Sequence, residues 1–171
     1  MSASPLAIPV EEYLRTAFRP DCDYVDGTLI ERNVGEKDHS KLQFALMLYL
    51  HQRRRELGIF VIQEQRLRIS ARRYRVPDLC VVAGPEPDEQ IFTRPPFLCV
   101  EILSPEDRMS RMQERIDDYL SFGVRYVWVL DPQTYKAWIY TTKAIQEVRD
   151  GHLRTESPEI VVPMDEIFSV R

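Results

Sequence analysis

The chain has 171 residues, 44% of them hydrophobic and 29% charged, enough for one domain with a substantial core and too few for two. Net charge is −4 and pI is near 5.5. This excludes a uniformly basic nucleic-acid binder, so a polyanion would have to meet a local basic patch.

The opening "MSASPLAIPV" lacks a basic stretch followed by an apolar one, so residues 1–10 are expected to be a flexible lead-in without a signal peptide. "PVEEYLRTAF" carries Tyr13, Leu14, Ala17 and Phe18 at helical spacing behind a proline and two acids, which predicts a short helix. In "DYVDGTLIERNV", Asp26-Gly27 between two apolar runs predicts a hairpin. "DHSKLQFALMLYLHQRRREL" repeats apolar residues at 42, 45, 46, 49 and 50, the period of an amphipathic helix that Gly58 would end. "IFVIQEQRLRIS" and "YRVPDLCVVAG" read as strands, "PEPDEQIFTRPP" as a proline-rich surface loop, and "FLCVEIL" as a further apolar strand. "SPEDRMSRMQERIDDYLSFG" predicts a helix with Ser104 as N-cap, Pro105 in the first position and Glu106 and Asp107 in the first turn, closed by Gly123. "RYVWVLD" and "YKAWIYTT" predict a strand pair around the turn "PQT", and "VPMDEIF" a short docked segment.

Strands follow one another without strict alternation with helices, which points to α+β architecture: a central mixed β-sheet flanked by helices. Cys80 and Cys99 lie inside apolar runs, and the cysteine count of 3 is odd. Buried free thiols and a cytoplasmic location are therefore expected. No histidine lies near a cysteine at zinc-ligand spacing, and no apolar run reaches membrane-spanning length.

Two acids stand out. "RVPDLCVV" carries Asp78 on the same strand face as Val76, Cys80 and Val82. "FLCVEIL" carries Glu101 on the same face as Phe97, Cys99 and Leu103. The strands are consecutive, so they are expected to be neighbours, and two carboxylates converging at low dielectric repel unless a cation lies between them. An oxygen-only donor set suits Mg2+, with Mn2+ as substitute. Arg115 lies three residues after Met112 and four before Tyr119, within the inward stripe of its helix, and a buried guanidinium needs acceptors such as Asp78 and Glu101.

The series "DYVDGTLIER", His39 opening the next helix, "VPDLCVV", "CVEILSPED" and "YLSFGVRYVWVLDP" resembles the Uma-two family within the PD-(D/E)XK nuclease superfamily. The resemblance covers residues from Glu11 to about Tyr140. It implies a restriction-endonuclease-like fold and Mg-dependent hydrolysis of phosphodiester bonds in DNA. It also implies that Asp78 and Glu101 are metal ligands, with the carbonyl of Ile102 as a further oxygen. The superfamily's lysine, expected two residues after the glutamate, is replaced by Leu103, and the family's relocated lysine corresponds to Arg115. Arginine stays protonated, so it would orient water or stabilise transition-state charge but cannot act as a base.

Glu31 matches an additional acid near such sites, and His39 would contact phosphate or substrate. Between His51 and Arg75 there are arginines at 53, 54, 55, 66, 68, 72, 73 and 75 against acids at Glu56 and Glu64. From this strip Arg73 and Arg75 are expected to touch the DNA backbone. Cleaving a duplex implies a homodimer. The alternative is a catalytically inactive nuclease-like module, binding nucleic acid or a protein partner, in which Arg115 locks the acids permanently.

Overall fold

The computed structural model describes residues 7–32 and 36–168. In chain order these form α1 (Val10–Arg15), β1 (Cys22–Val25), β2 (Thr28–Glu31), α2 (Lys37–Gln52), α3 (Arg54–Leu57), β3 (Ile59–Gln63), β4 (Leu67–Ser70) and β5 (Arg73–Arg75). They continue as β6 (Leu79–Ala83), β7 (Leu98–Ile102), α4 (Met109–Phe122), β8 (Tyr126–Asp131), β9 (Lys136–Tyr140), β10 (Ile145–Glu147), β11 (His152–Thr155), β12 (Ile160–Pro163) and α5 (Met164–Phe168).

The main sheet has the order β10-β9-β8-β7-β6-β3. It is mixed: β7 and β8 run parallel, and α4 makes the crossover between them, as a parallel pair requires. Its other neighbours are antiparallel. One face packs α2, α5 and the β11–β12 hairpin around Leu46, Leu79, Val100 and Trp128. The other packs α4 and β4 around Cys80, Cys99, Ile116 and Val127. Both faces are covered, so β7 is buried along its whole length, which explains its nearly continuous apolar sequence. A second sheet, β2-β1-β5-β4, carries the Asp26-Gly27 hairpin, with Val25 opposite Thr28. α1 covers it through Tyr13, stacked on Tyr24 at 5.0 Å between ring centroids.

Three expectations need correction. "YRVPDLCVV" is not one strand: β5 belongs to the small sheet and β6 to the large one, and the chain changes sheet at Val76–Asp78. Pro77 lies at that crossing, where its missing N–H costs no ladder bond. The helix expected from Ser104 begins at Met109 instead. The Asp107 carboxylate accepts from the Ser104 N–H at 2.7 Å, and the Asp107 N–H donates to the Ser104 carbonyl at 2.9 Å. Residues 104–107 therefore close a separate turn. Of the expected flexible lead-in, residues 1–6 lie outside the described residues. Ile8, however, is bound on both sides: its N–H donates to Gly27 at 2.9 Å, and the Tyr24 hydroxyl donates to its carbonyl at 2.8 Å.

Gly123 ends α4 at φ +114°, and a Cβ there would meet the Pro95 ring at 3.2 Å. Gly84 has a similar φ of +117° with nothing within 4 Å. Gly123→Ala should therefore lower stability by about 1–2 kcal/mol and by more than Gly84→Ala, since it adds steric contact to the common backbone strain. Thermal unfolding followed by circular dichroism measures both.

Candidate active site

The acids converge. Leu79 faces Val100 and Cys80 faces Cys99, so the next step of the ladder brings Asp78 beside Glu101. Asp78 is 3% exposed and Glu101 1%. The Asp78 backbone is pinned as well: its carbonyl accepts from Gln43 at 3.0 Å and from the Glu64 N–H at 3.2 Å. Its carboxylate accepts from the Ile102 N–H at 2.7 Å, from His39 Nε2 at 3.3 Å, and from the Arg32 guanidinium. Glu101 accepts from the Tyr119 hydroxyl at 2.5 Å and from Arg115 at 3.3 Å.

A third acid joins from the small sheet. Asp23, fully buried, accepts from Arg115 Nε at 3.1 Å, from Arg75 at 3.0 Å and from the Val76 N–H at 2.9 Å. Arg115 thus bridges Asp23 on β1 and Glu101 on β7. It reaches them because it shares the inward side of α4 with Met112 and Tyr119.

Burial opposes ionisation of Asp78, but the His39 hydrogen bond, the Arg32 charge and the Ile102 N–H together hold its carboxyl below the usual range. Burial likewise acts against the charged form of His39, yet the bond to Asp78 wins and raises it. Glu101 goes the other way. Burial, aided by the charges of Asp78 and Asp23, pushes it up to about 7, against the pull of Arg115 and Tyr119.

The expected residues divide accordingly. Asp78, Glu101, Arg115 and His39 line one small cleft, together with Arg32, which the sequence reading did not single out. Glu31 does not join them: it lies exposed in an adjoining cleft that shares Arg115 and Asp107 with the first. Its chain neighbour Arg32 enters the site instead. Arg75 is turned inward and 1% exposed, bonded to Asp23 and, at 2.7 Å, to Asp118, so it presents nothing to a DNA phosphate. Arg73 is committed to Asp118 at 2.8 Å and Asp26 at 3.3 Å. The arginine strip is likewise no single track, since Arg66 pairs with Asp21 and Arg53 lies over the Tyr49 ring. Exposed Arg108 and Arg111 line the adjoining cleft, Arg108 immediately before α4 and Arg111 four residues before Arg115.

Asp23 and Arg32 could have been found. Asp23 lies between Cys22 and Tyr24, an acid inside an apolar strand just as Glu101 is. Arg32 follows a half-buried strand and has no neighbouring acid but Glu31.

As a metal site, the donor chemistry fits a hard cation, two carboxylates being what Mg2+ takes while keeping several waters. Among the described residues no group of three or more His, Cys, Asp or Glu side chains is disposed to hold a metal. The cleft has a cavity volume of about 20 Å3, room for about one water.

A family model described as "Putative restriction endonuclease" (Uma2) matches residues 10–166. The chain belongs to this family. The structure also superimposes on a crystal structure from Anabaena variabilis, described as a putative nuclease belonging to DUF820, with a TM-score of 0.82. That match has 20% sequence identity over 95% of this chain and 98% of the other. At such identity the likeness speaks for the fold, a restriction-endonuclease-like mixed sheet flanked by helices. No curated protein matches. In this Uma2 protein no helix among the described residues is long and apolar enough to cross a membrane.

The shifted groups predict how the metal-free protein responds to pH. Glu101, raised from 4.5 to about 7, contributes stability that is complete below about pH 4.5 and lost as pH rises through 7. His39 is also raised and acts in the same direction, its contribution fading as pH climbs above its ordinary range. Asp78 is lowered, and its contribution is lost only in acid, below the ordinary carboxylate range. Unfolding free energy should fall between pH 5 and 8 by on the order of 1–3 kcal/mol. Glu101→Gln should flatten most of that slope in denaturant titrations.

Proposed function

We propose that this protein is a Mg-dependent endonuclease that hydrolyses phosphodiester bonds in DNA. The observation that supports this most is the meeting of Asp78 and Glu101 at the ends of adjacent strands, beside a cation from α4, in a member of a family described as restriction endonucleases. Asp78 and Glu101 would hold the divalent ion, which when bound supplies Lewis-acid contact to a phosphoryl oxygen and an acidified water.

The chain's own side chains have separable tasks. Tyr119 fixes the rotamer of Glu101, and His39 with the Ile102 N–H fixes Asp78. This is the support an acid pair needs to stay in register. Arg115 stays protonated, being raised by Glu101 and Asp23 against the effect of burial, so it stabilises charge and accepts no proton. Glu31, exposed beside Arg115, would hold water at the mouth. DNA phosphates would meet Arg108 and Arg111 rather than Arg73 and Arg75, because the latter pair is consumed by Asp23, Asp26 and Asp118. Cutting both strands from one acid pair per chain implies a homodimer. Free, buried cysteines suit a cytoplasmic setting.

One observation favours a second reading, an inactive nuclease-like binding module. Both carboxylates already carry guanidinium, imidazole or phenol partners. The two readings separate in two assays. Calorimetry with Mn2+ at neutral pH should show binding that Asp78→Ala abolishes, and plasmid incubated with Mg2+ should be nicked or linearised by wild type and not by Glu101→Ala. Linear product from the first turnovers marks the dimer. Arg115→Lys should raise a weak rate several-fold, because lysine can give up its proton. Silence in both assays would leave the module.

The DNA path gives a separate expectation. Arg108→Ala with Arg111→Ala should weaken duplex binding about tenfold in fluorescence anisotropy without metal. The same pair should reduce the slope of log K against log salt by about 2, as two lost phosphate contacts require.

A further inference from the structure

We propose that Arg32 is the internal cation that occupies Asp78 in the metal-free protein and must leave that carboxylate before it can hold a divalent ion, so that Arg32 sets the metal affinity. The inference rests on the metal-dependent reading above and adds to it a residue that neither the family match nor the sequence motifs assign.

The geometry distinguishes Arg32 from the other guanidinia of the cluster. Arg115 is held by two buried acids on two different sheets, Asp23 at 3.1 Å and Glu101 at 3.3 Å. Arg75 is held by Asp23 at 3.0 Å and Asp118 at 2.7 Å. Among the described residues Arg32 has a single buried ion-pair partner, Asp78. Its second contact is Glu64 at 3.7 Å, whose side chain is 51% exposed. Releasing Arg32 therefore breaks one buried pair and turns the guanidinium toward an acid already in solvent. Releasing Arg115 would strand two acids at once.

Charge and space both demand a departure. Asp78, Glu101 and Asp23 supply at most three negative charges, which Arg32, Arg115 and Arg75 already match. A divalent ion added to that set leaves two surplus positive charges at low dielectric. The inner free space of about 20 Å3 takes about one water, so an ion entering on the Asp78 side competes with Arg32 for that carboxylate. Removing one guanidinium from the cleft satisfies both conditions, and Arg32 is the one with a short way out. Asp78 keeps His39 at 3.3 Å and the Ile102 N–H at 2.7 Å, so it remains oriented after Arg32 has gone.

Calorimetric titration of Mn2+ into the full chain tests this without reference to catalysis. Arg32→Gln should bind at least tenfold more tightly than wild type. Equal or weaker binding by the variant overturns the role of Arg32 and leaves the metal reading standing. Heat from neither protein overturns both. A second measurement needs no variant. In wild type, the guanidinium NMR signals of Arg32 should move to solvent-like positions as Mg2+ saturates the protein, while those of Arg75 stay in place. An Arg32 signal unchanged at saturation overturns the proposal even if Arg32→Gln fails to fold.

Discussion

A buried lattice of acids and guanidinia joins the two sheets, and the rest of the site depends on it. Asp23 on β1 holds Arg75 and the Val76 N–H at the point where the chain leaves the small sheet. Arg115 carries the same acid's charge across to Glu101 on β7, and Arg32 closes on Asp78 from β2's end. Taking any one of these charges out of water alone would cost several kcal/mol, about 3–5 when a partner is removed. A lattice of this kind adds little net stability over a well-packed apolar seam of the same volume. What it does is fix where the sheets meet, because each carboxylate has its oxygens assigned to named donors and a shift of register would leave charges unpaired.

The same lattice makes two neighbouring acids tolerable in the folded protein. Carboxylates a few ångströms apart at low dielectric force one another toward protonation, and Glu101 shows the pressure in its raised value. Asp78 escapes it because imidazole, guanidinium and backbone N–H all converge there. The protein thus carries two acids of different character side by side, one held ionised and one poised near neutrality. Arginine suits this task better than lysine. Its protonation does not follow pH, and its planar fork reaches two carboxylates on separate sheets at once.

The legible part of this arrangement was the part carried by local pattern. An acid within an apolar run is conspicuous at Asp78 and at Glu101, and the expected pairing of the two consecutive segments made their meeting plausible. Arg115 followed from the helical stripe of Met112 and Tyr119. Partners set by distant pairing were harder to see. The β1–β5 contact, Tyr24 against Tyr74, joins segments 50 residues apart, and only that contact brings Asp23 under Arg75. The density of arginines between 53 and 75 said nothing of direction, and two of them point inward to Asp118 on α4. Ser104-Pro105 imitated a helix start because Asp107, placed three residues on, bonds back to Ser104 as readily as a capping pair would. The β11–β12 hairpin escaped notice because its strands are four residues each and β11 offers a single apolar residue, Leu153. The family resemblance pointed to Asp78 and Glu101, which the fold brings side by side, and to Glu31, which lies in the adjoining cleft while its neighbour Arg32 reaches Asp78.

Leu103 shows why the expected lysine position was free to change. Two residues beyond Glu101 on the same strand face, it packs half-buried against the α4-side core, and its N–H is tied to Leu130 at 2.8 Å. An apolar side chain there contributes packing but removes a cation from beside two acids, and the deficit must be met from another element. α4 lies over that face, and its Arg115 brings a cation to Glu101 beside the Tyr119 hydroxyl. The constraint on the fold is therefore a count of charges around Asp78, Glu101 and Asp23 and not the sequence position that supplies them. A strand lysine, a helix arginine or a hairpin arginine can each meet it. What separates them chemically is whether the cation can give up a proton and how readily it can let go.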